Sequence, residues 1–255
     1  MAPVLYAIHG SNPCACVEKA LELKQVPYRI VELPPVLHVP VQWWRFRCTT
    51  VPVLVLADGE EIIGSRAILH RLDELVSEPP LLPDDPSARE AVEKAEAWGD
   101  EVLQPVVNRL FWAGLLARPD AITSYSEGSR LSLPNFAKRL LTPLISRLGA
   151  LRNRTSAKRA CEDLAILPAL LDRVDHWITR GVVGDTRPNA ADLQLAPSVR
   201  ILGTFADVRP LLEDRPCWAL AQRLFPSYPG DMPEGALRTH GGRPWSRALP
   251  PQSGR

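Results

Sequence analysis

One hydroxyl and two thiols lie close together near the start of the chain. Ser11, Cys14 and Cys16 follow a short apolar run, typical of a buried strand, and open an amphipathic segment typical of a helix. Hydroxyls and thiols are side chains that act as nucleophiles or stabilise one. Because a serine stands three residues before Cys14, this pair cannot run a dithiol cycle. A single-thiol role for Cys14 or Cys16 stays open, beside the alternative that both pack in the core.

Ser65 is a second candidate for chemistry. The pattern predicts that it caps a helix whose apolar face contains Ile68, Leu72, Leu75 and Val76. The unpaired N–H groups and the positive end of the helix dipole favour an anion there. The alternative is that Ser65 only caps the helix, a role that contributes about 1 kcal/mol.

The cysteines and the charges exclude several classes of protein. The five cysteines are an odd number, and no Cys/His spacing fits a zinc site, so we predict reduced thiols and no metal. The formal charge of +1, from 30 basic and 29 acidic residues, does not indicate nucleic acid or a membrane as the partner. The first residues lack the basic start of a secretory signal, so we expect a cytoplasmic protein.

The charge is unevenly distributed along the chain. Between residues 128 and 160 there are eight basic residues and no acidic one. They are Arg130, Lys138, Arg139, Arg147, Arg152, Arg154, Lys158 and Arg159. This basic segment could attract a phosphate or another anionic partner, and the alternative is a solvated helical surface.

The elements that must position these residues fall into two groups. Residues 4–76 alternate short apolar runs with amphipathic segments in the order β-α-β-β-β-α, with an irregular stretch from Val36 to Thr50. A proline-dense linker follows, and the periodicity beyond it is helical, with a kink expected at Pro105. We therefore predict a domain at 1–78, a linker at 79–87, an all-helical domain at 88–229 and a loosely attached, irregular tail at 230–255.

Four motifs in this order resemble those of the glutathione S-transferase family. They are Ser11-Asn12-Pro13-Cys14, Thr50-Val51-Pro52-Val53-Leu54, Gly64-Ser65-Arg66-Ala67-Ile68 and Pro188-Asn189-Ala190-Ala191-Asp192. The resemblance implies an α+β thioredoxin-like N-terminal domain followed by an all-α C-terminal domain. It also implies a glutathione site at Val51, Pro52, Gly64, Ser65 and Arg66, a cis peptide before Pro52, and a structural helix cap at Asn189 and Asp192.

The resemblance also implies a reaction. Ser11 would stabilise the thiolate of bound glutathione, or of another small thiol, for attack on a hydrophobic electrophile, and Cys14 is the alternative catalytic residue. A homodimer is expected, as in relatives. Gly64 departs from the family, which has Glu or Gln there, so a non-catalytic scaffold or a thiol reductase using Cys14 remains an alternative function.

Four further side chains near these motifs are weaker candidates for a role in the site. Tyr6 lies inside the first predicted strand, one position away from a catalytic tyrosine of other transferase classes, and we expect it to pack. His9 is a possible base. Trp43 and Trp44, with basic neighbours Arg45 and Arg47, could line the thiol site or pack at a surface.

Overall fold

The computed structural model describes residues 2–131 and 135–238 of the 255-residue chain. Its first part alternates short strands with helices. The elements are β1 (Val4–Ala7), α1 (Asn12–Leu23), β2 (Arg29–Glu32), α2 (His38–Phe46), β3 (Val53–Val55), β4 (Glu61–Ile63) and α3 (Ser65–Leu75).

These strands form one four-stranded sheet in the order β2-β1-β3-β4. β1 pairs in parallel with β2, while β3 runs antiparallel to both β1 and β4. Leu5 and Leu54, directly opposite each other, are fully buried, as are Leu21 of α1 and Ile68 of α3. The thioredoxin-like architecture is therefore confirmed.

The segment from Val36 to Thr50 differs from the prediction. We expected an irregular stretch, but it contains helix α2, which starts at His38 without a side-chain cap and ends at Arg47 in a left-handed conformation. Its buried residues are polar or isolated, namely His38, Gln42 and Phe46. Because the apolar residues between them face outward, the hydrophobic pattern gave no helical signal.

The second part of the chain is helical. Its elements are α4 (Pro86–Trp98), a π-helical segment (Gly99–Leu103), α5 (Gln104–Ala117), a 3₁₀ turn (Pro119–Ala121), α6 (Ile122–Tyr125), α7 (Asn135–Arg152), α8 (Ala157–Thr179), α9 (Ala190–Leu202), α10 (Arg209–Leu212) and α11 (Pro216–Leu224). The long helix predicted to kink at Pro105 is interrupted by the π-helical segment just before this proline, which cannot donate a backbone hydrogen bond. No described helix is long and apolar enough to cross a bilayer.

Helix α9 forms the centre of the helical part, and a capping box fixes its start. The Asn189 side chain accepts from the Asp192 N–H at 3.1 Å, and the Asp192 carboxylate accepts from the Asn189 N–H at 2.9 Å. Asp192 also accepts from the Gly184 N–H at 2.7 Å, and its burial raises the pKa of this carboxyl to about 6. The structural cap predicted at these two residues has this geometry.

The two parts of the chain share a polar seam. Asn12 of α1 donates to Ser198 of α9 at 3.1 Å, and the fully buried Lys24 ammonium donates to Asp73 and to the Pro79 carbonyl, both at 2.8 Å. Residues 76–85 between α3 and α4 contain no helix or strand. The Asn12 bond joins the two parts, and the buried lysine ties α1 and α3 to the linker.

The beginning of the predicted tail is packed. Met232 and Leu237 are buried, and the Met232 backbone exchanges hydrogen bonds with Thr204 and Ala206 at 2.8 and 2.9 Å. The Asp207 carboxylate accepts from the Leu237 N–H at 2.9 Å. The prediction of loose attachment is therefore wrong for residues 230–238, while residues 239–255 lie outside the described part of the chain.

Candidate functional site

A cavity of about 380 Å³ lies between the sheet domain and the helical part. Its sheet-domain wall includes Ser11 and Val51, and its helical wall includes Phe111, Trp112 and Ile145. A second hollow, of about 490 Å³, lies beside the linker and contains none of the predicted catalytic or thiol-binding residues. The cleft between the two parts is therefore the candidate site.

Ser11 lies at the amino end of α1 as its N-cap residue. Its backbone is extended, its N–H donates to the Ile8 carbonyl at 3.2 Å, and its carbonyl accepts from Ala15 at 2.8 Å. The side chain makes no capping bond to the helix, although serine commonly does so at this position. Ser11 therefore lines the cavity at the positive end of α1, and its hydroxyl bonds to the Cys14 thiol rather than to the helix backbone.

The two cysteines that follow Ser11 are fully buried. Burial raises the pKa of the Cys14 thiol to about 12, against smaller opposing effects of the Ile8 N–H and Ser11. Burial raises the pKa of Cys16 as well, and the negative charges of Glu96 and Asp100 add to that shift. Both side chains stay protonated at neutral pH, so the geometry does not support Cys14 as a thiolate nucleophile.

The Val51–Pro52 peptide is cis, as the sequence predicted. No described residue hydrogen-bonds to the N–H or the carbonyl of Val51, whereas the Pro52 carbonyl accepts from Gly64 at 3.0 Å. The neighbouring Thr50 carbonyl accepts from the Gln42 side chain at 3.1 Å. Val51 thus offers one donor and one acceptor to an extended chain in the cavity.

Ser65 is not the helix cap that we predicted. Gly64 occupies the N-cap position of α3 with φ +91°, and no side chain caps the helix. Ser65 is the first helical residue, nearly buried, and its hydroxyl donates across the seam to Gln194 at 3.0 Å. The reason is tertiary: an acceptor 129 residues away takes the hydroxyl that would otherwise bond to the backbone.

Arg66 completes this motif beside a buried carboxylate. Its Nε lies 3.7 Å from Glu96, whose side chain is fully buried, and its Nη1 lies 3.5 Å from the exposed Glu101. Gly64, Ser65 and Arg66 do not line the cavity, but the bond from Gly64 to Pro52 places them next to it. The structure thus brings Ser11 and Val51 together and leaves the third motif at the edge.

The weaker candidates are engaged elsewhere or exposed. Tyr6 packs edge-on against Phe46, with ring centroids 4.8 Å apart. His9 lines the cavity, but its Nε2 donates to the Glu127 carbonyl at 2.7 Å. Trp43 and Trp44 are exposed on α2 and do not line the cavity.

The helical wall was missed by sequence reasoning. Phe111 and Trp112 project from α5, Tyr125 bonds to Thr204 at 2.5 Å, and Arg152 donates to the Thr49 carbonyl at 2.5 Å. Adjacent aromatics in an apolar helix were the only available signal, and they are equally typical of a core. No group of three or more potential metal ligands occurs among the described residues.

Comparisons with known proteins agree with this architecture. Residues 5–80 match the family model described as glutathione S-transferase, N-terminal domain. No curated protein matches the sequence.

Three solved structures illustrate the similarity of the fold. Glutathione transferase F7 from Populus trichocarpa is 13% identical with a TM-score of 0.61, covering 88% of this chain and 93% of that one. A glutathione S-transferase from Rhodospirillum rubrum is 22% identical with a TM-score of 0.57, covering 88% and 92%. One from Methylobacterium radiotolerans, in complex with glutathione sulfonate, is 23% identical with a TM-score of 0.52, covering 88% and 90%.

The match covers the sheet domain, and the likeness to solved structures covers most of both parts. The cis proline and the capping box lie in two of the four motifs on which the sequence resemblance depended. Residues 5–80 therefore form a domain that matches the N-terminal domain of glutathione S-transferases, and the two-part fold of the chain is similar to that of solved glutathione S-transferases.

Proposed function

We propose that the protein is a transferase that joins a small thiol, with glutathione as the first candidate, to a hydrophobic electrophile. One observation carries the proposal. A single cavity contains a helix-terminal hydroxyl, an unpaired strand backbone and an apolar helical wall, at Ser11, Val51 and Phe111 respectively. In this proposal the hydroxyl stabilises a thiolate, the strand backbone binds the peptide that carries the thiol, and the apolar wall binds the acceptor.

The thiol side uses the sheet domain. A cysteinyl peptide pairs its backbone with Val51, as in strand addition, and this pairing brings its sulfur towards Ser11. The Ser11 hydroxyl and the amino end of α1 stabilise the thiolate, so the thiol proton leaves to solvent at neutral pH. The thiolate then forms a sulfur–carbon bond to the acceptor, and the leaving group departs with the bonding electrons. A protein nucleophile is not needed.

The acceptor side uses the helical part. Phe111, Trp112 and Ile145 give an apolar wall, and Asn108 is a polar neighbour on the same helix as the aromatics. Such a surface holds a hydrophobic compound by removing its apolar area from water. Rate comes from the positioning of the two reactants and from thiolate stabilisation.

Two observations favour the alternative of a non-catalytic scaffold. Gly64 presents no side chain to the γ-glutamyl end of glutathione, and the Ser65 hydroxyl is bonded to Gln194. Both features weaken recognition of the γ-glutamyl group, so the site would bind a thiol other than glutathione, or no thiol. A reductase using Cys14 is less favoured because that thiol is buried and protonated. The homodimer and the cytoplasmic location stay predictions.

The test measures thiol binding and conjugation separately. A thermal-shift panel of small thiols, glutathione included, is followed by conjugation to a chromogenic aryl halide. Ser11→Ala removes a hydrogen bond to a charged sulfur, about 1.5–3 kcal/mol, so kcat/KM should fall about 10- to 100-fold. The matched control, Ser87→Ala on the exposed surface of α4, should leave the rate unchanged.

Each alternative gives its own result. Absence of binding to every thiol would exclude the transferase and leave the scaffold. Binding without conjugation would also favour the scaffold. Full activity in Ser11→Ala would remove that residue from the mechanism, and disulfide exchange that disappears in Cys14→Ser would establish the reductase.

A further inference from the structure

Helix α7 has its apolar face turned towards solvent. Leu140, Leu144, Leu148 and Leu151 follow one another at spacings of four, four and three, so they share one face of the helix. Their exposed fractions are 77%, 56%, 39% and 76%. The opposite face is buried and consists of small or polar residues, which are Thr142, Ser146, Gly149 and Ala150. This is the reverse of the usual surface helix.

Helix α2 shows the same reversal. Leu37, Val41 and Trp44 are spaced four and three residues apart and are 51%, 42% and 78% exposed. The two helices are neighbours, since Arg152 at the carboxyl end of α7 donates to the Thr49 carbonyl just after α2, and Arg152 and His38 both line the cavity. We call these two outward faces together the docking face.

The docking face borders the candidate site. Leu37 at the start of α2 and Leu141 on α7 both line the cavity between the two parts of the chain. A surface seated on α2 and α7 would therefore lie over the entrance of the cavity, where an apolar acceptor must enter.

The charged residues of the segment that contains α7 are all basic. Residues 128–160 contain no Asp or Glu. The basic residues with described side chains on or just after α7 are Arg147, Arg152, Arg154, Lys158 and Arg159, while the side chains of Lys138 and Arg139 lie outside the described part. In that part, the one ion pair among the five joins Lys158 to Glu162 at 3.8 Å. The complementary surface is therefore anionic.

The charge pattern decides between possible occupants. Two α7 helices from two copies would bring like charges together. The segment 239–255 of this chain contains three arginines and no acidic residue, so it does not complement the face either. A partner helix normally binds in a groove. Leu140 and Leu151, each exposed by about three quarters, instead protrude from the surface, which does not favour a partner helix. Protruding leucines with flanking arginines are the pattern of helices that lie in a lipid interface.

We propose that α2 and α7 form a membrane-docking face that seats the protein on an anionic phospholipid surface, with the cavity entrance turned towards the lipid. The leucines and Trp44 enter the boundary between head groups and acyl chains, while the arginines contact the lipid phosphates. This attachment needs no spanning helix. The total charge of +1, from which we expected no membrane partner, hides the one-sided distribution along α7.

The test is co-sedimentation of the full chain with lipid vesicles. One set contains phosphatidylcholine alone, and the other contains phosphatidylcholine with phosphatidylglycerol. The chain should bind the second set, more weakly at high salt. Leu144→Ser combined with Leu151→Ser should lower the partition coefficient at least about tenfold. Arg147→Glu should lower it without removing apolar surface.

The matched control is Ile166→Ser, at a 48% exposed position of α8 away from the docking face. It should bind like the unchanged chain, and a melting curve for each variant shows that it is folded. Equal binding to both vesicle sets, or full binding by the double leucine variant, would overturn the proposal. So would binding to an acidic amphipathic peptide without binding to vesicles. Self-association that the leucine changes abolish, again without lipid binding, would identify the face as an interface between copies.

Discussion

Helix α7 packs closely against α5 at Gly149. A Cβ atom added there would lie 2.4 Å from two ring atoms of Trp112, whereas carbon atoms in contact are about 3.5–4.0 Å apart. The change Gly149→Ala therefore forces α7 or the indole ring to shift by about 1 Å. Overpacking of this kind costs ~1–3 kcal/mol, and the better helix propensity of alanine offsets ~1 kcal/mol.

The net effect of Gly149→Ala alone is thus a loss of ~0–2 kcal/mol, or a melting temperature lower by up to about 8 °C for a chain of this size. A double-mutant cycle with Trp112→Leu isolates the contact, because leucine lacks the ring atoms that clash. In that background Gly149→Ala should stabilise the protein by ~1 kcal/mol. The measurement is thermal unfolding of the four proteins. Equal effects of Gly149→Ala in both backgrounds, within ~0.5 kcal/mol, would refute the close packing of α7 on α5.

Three other changes test the polar groups. Arg109→Met removes two 2.7 Å hydrogen bonds from the buried Asp163 carboxylate on α8, so the free energy of unfolding should fall by about 3 kcal/mol. The control Arg71→Met, at an exposed ion pair with Glu60, should leave the melting temperature nearly unchanged. The hydrogen bond to the buried Glu96 raises the pKa of His70 in the folded protein. This bond therefore contributes fully to stability below the unfolded-state pKa of about 6.5, and the contribution is lost as the pH rises through the pKa of the folded state. Melting curves at several pH values should show that loss in the unchanged chain and not in His70→Gln. Maleimide labelling of the native protein at pH 8 should modify Cys48 before Cys14, and equal rates would contradict the burial of Cys14.

The order of the elements in the sheet domain was predictable because its signals are local. Alternation in residues 4–63, the helix-opening loop at Ser11 and the proline at position 52 each depend on near neighbours in the chain. The capping box at Asn189 is also local and has the predicted geometry. These features needed no knowledge of tertiary contacts.

The missed features depend on contacts that no local pattern contains. Helix α2 buries His38 and Gln42 and exposes Trp44, so its periodicity opposes the rule that identifies helices. The role of Ser65 depends on Gln194, which belongs to the other part of the chain. Met232 is buried against residues near the end of α9, although the sequence around it is rich in glycine and proline.

The same holds for the candidate site. The sequence predicted Ser11 and Val51, whose positions follow from the start of a helix and from a proline. It did not predict Trp112 or Arg152, which reach the cavity only through the packing of α5 and α7. The sheet-domain wall of the cavity is therefore predictable from one sequence, and the helical wall is not.

The buried Gln194 side chain restricts movement between the two halves of the protein. Its side chain accepts from Ser65 and Cys16, at 3.0 and 3.6 Å, and donates to Gln104 at 3.1 Å, so one buried amide ties α1, α3, α5 and α9 together. A hinge between the two halves would have to break the bonds from Ser65 and Cys16 at once. The width of the cleft is thus set by the fold, and changes in α7, which takes no part in these bonds, would alter the cavity without disturbing its sheet-domain wall.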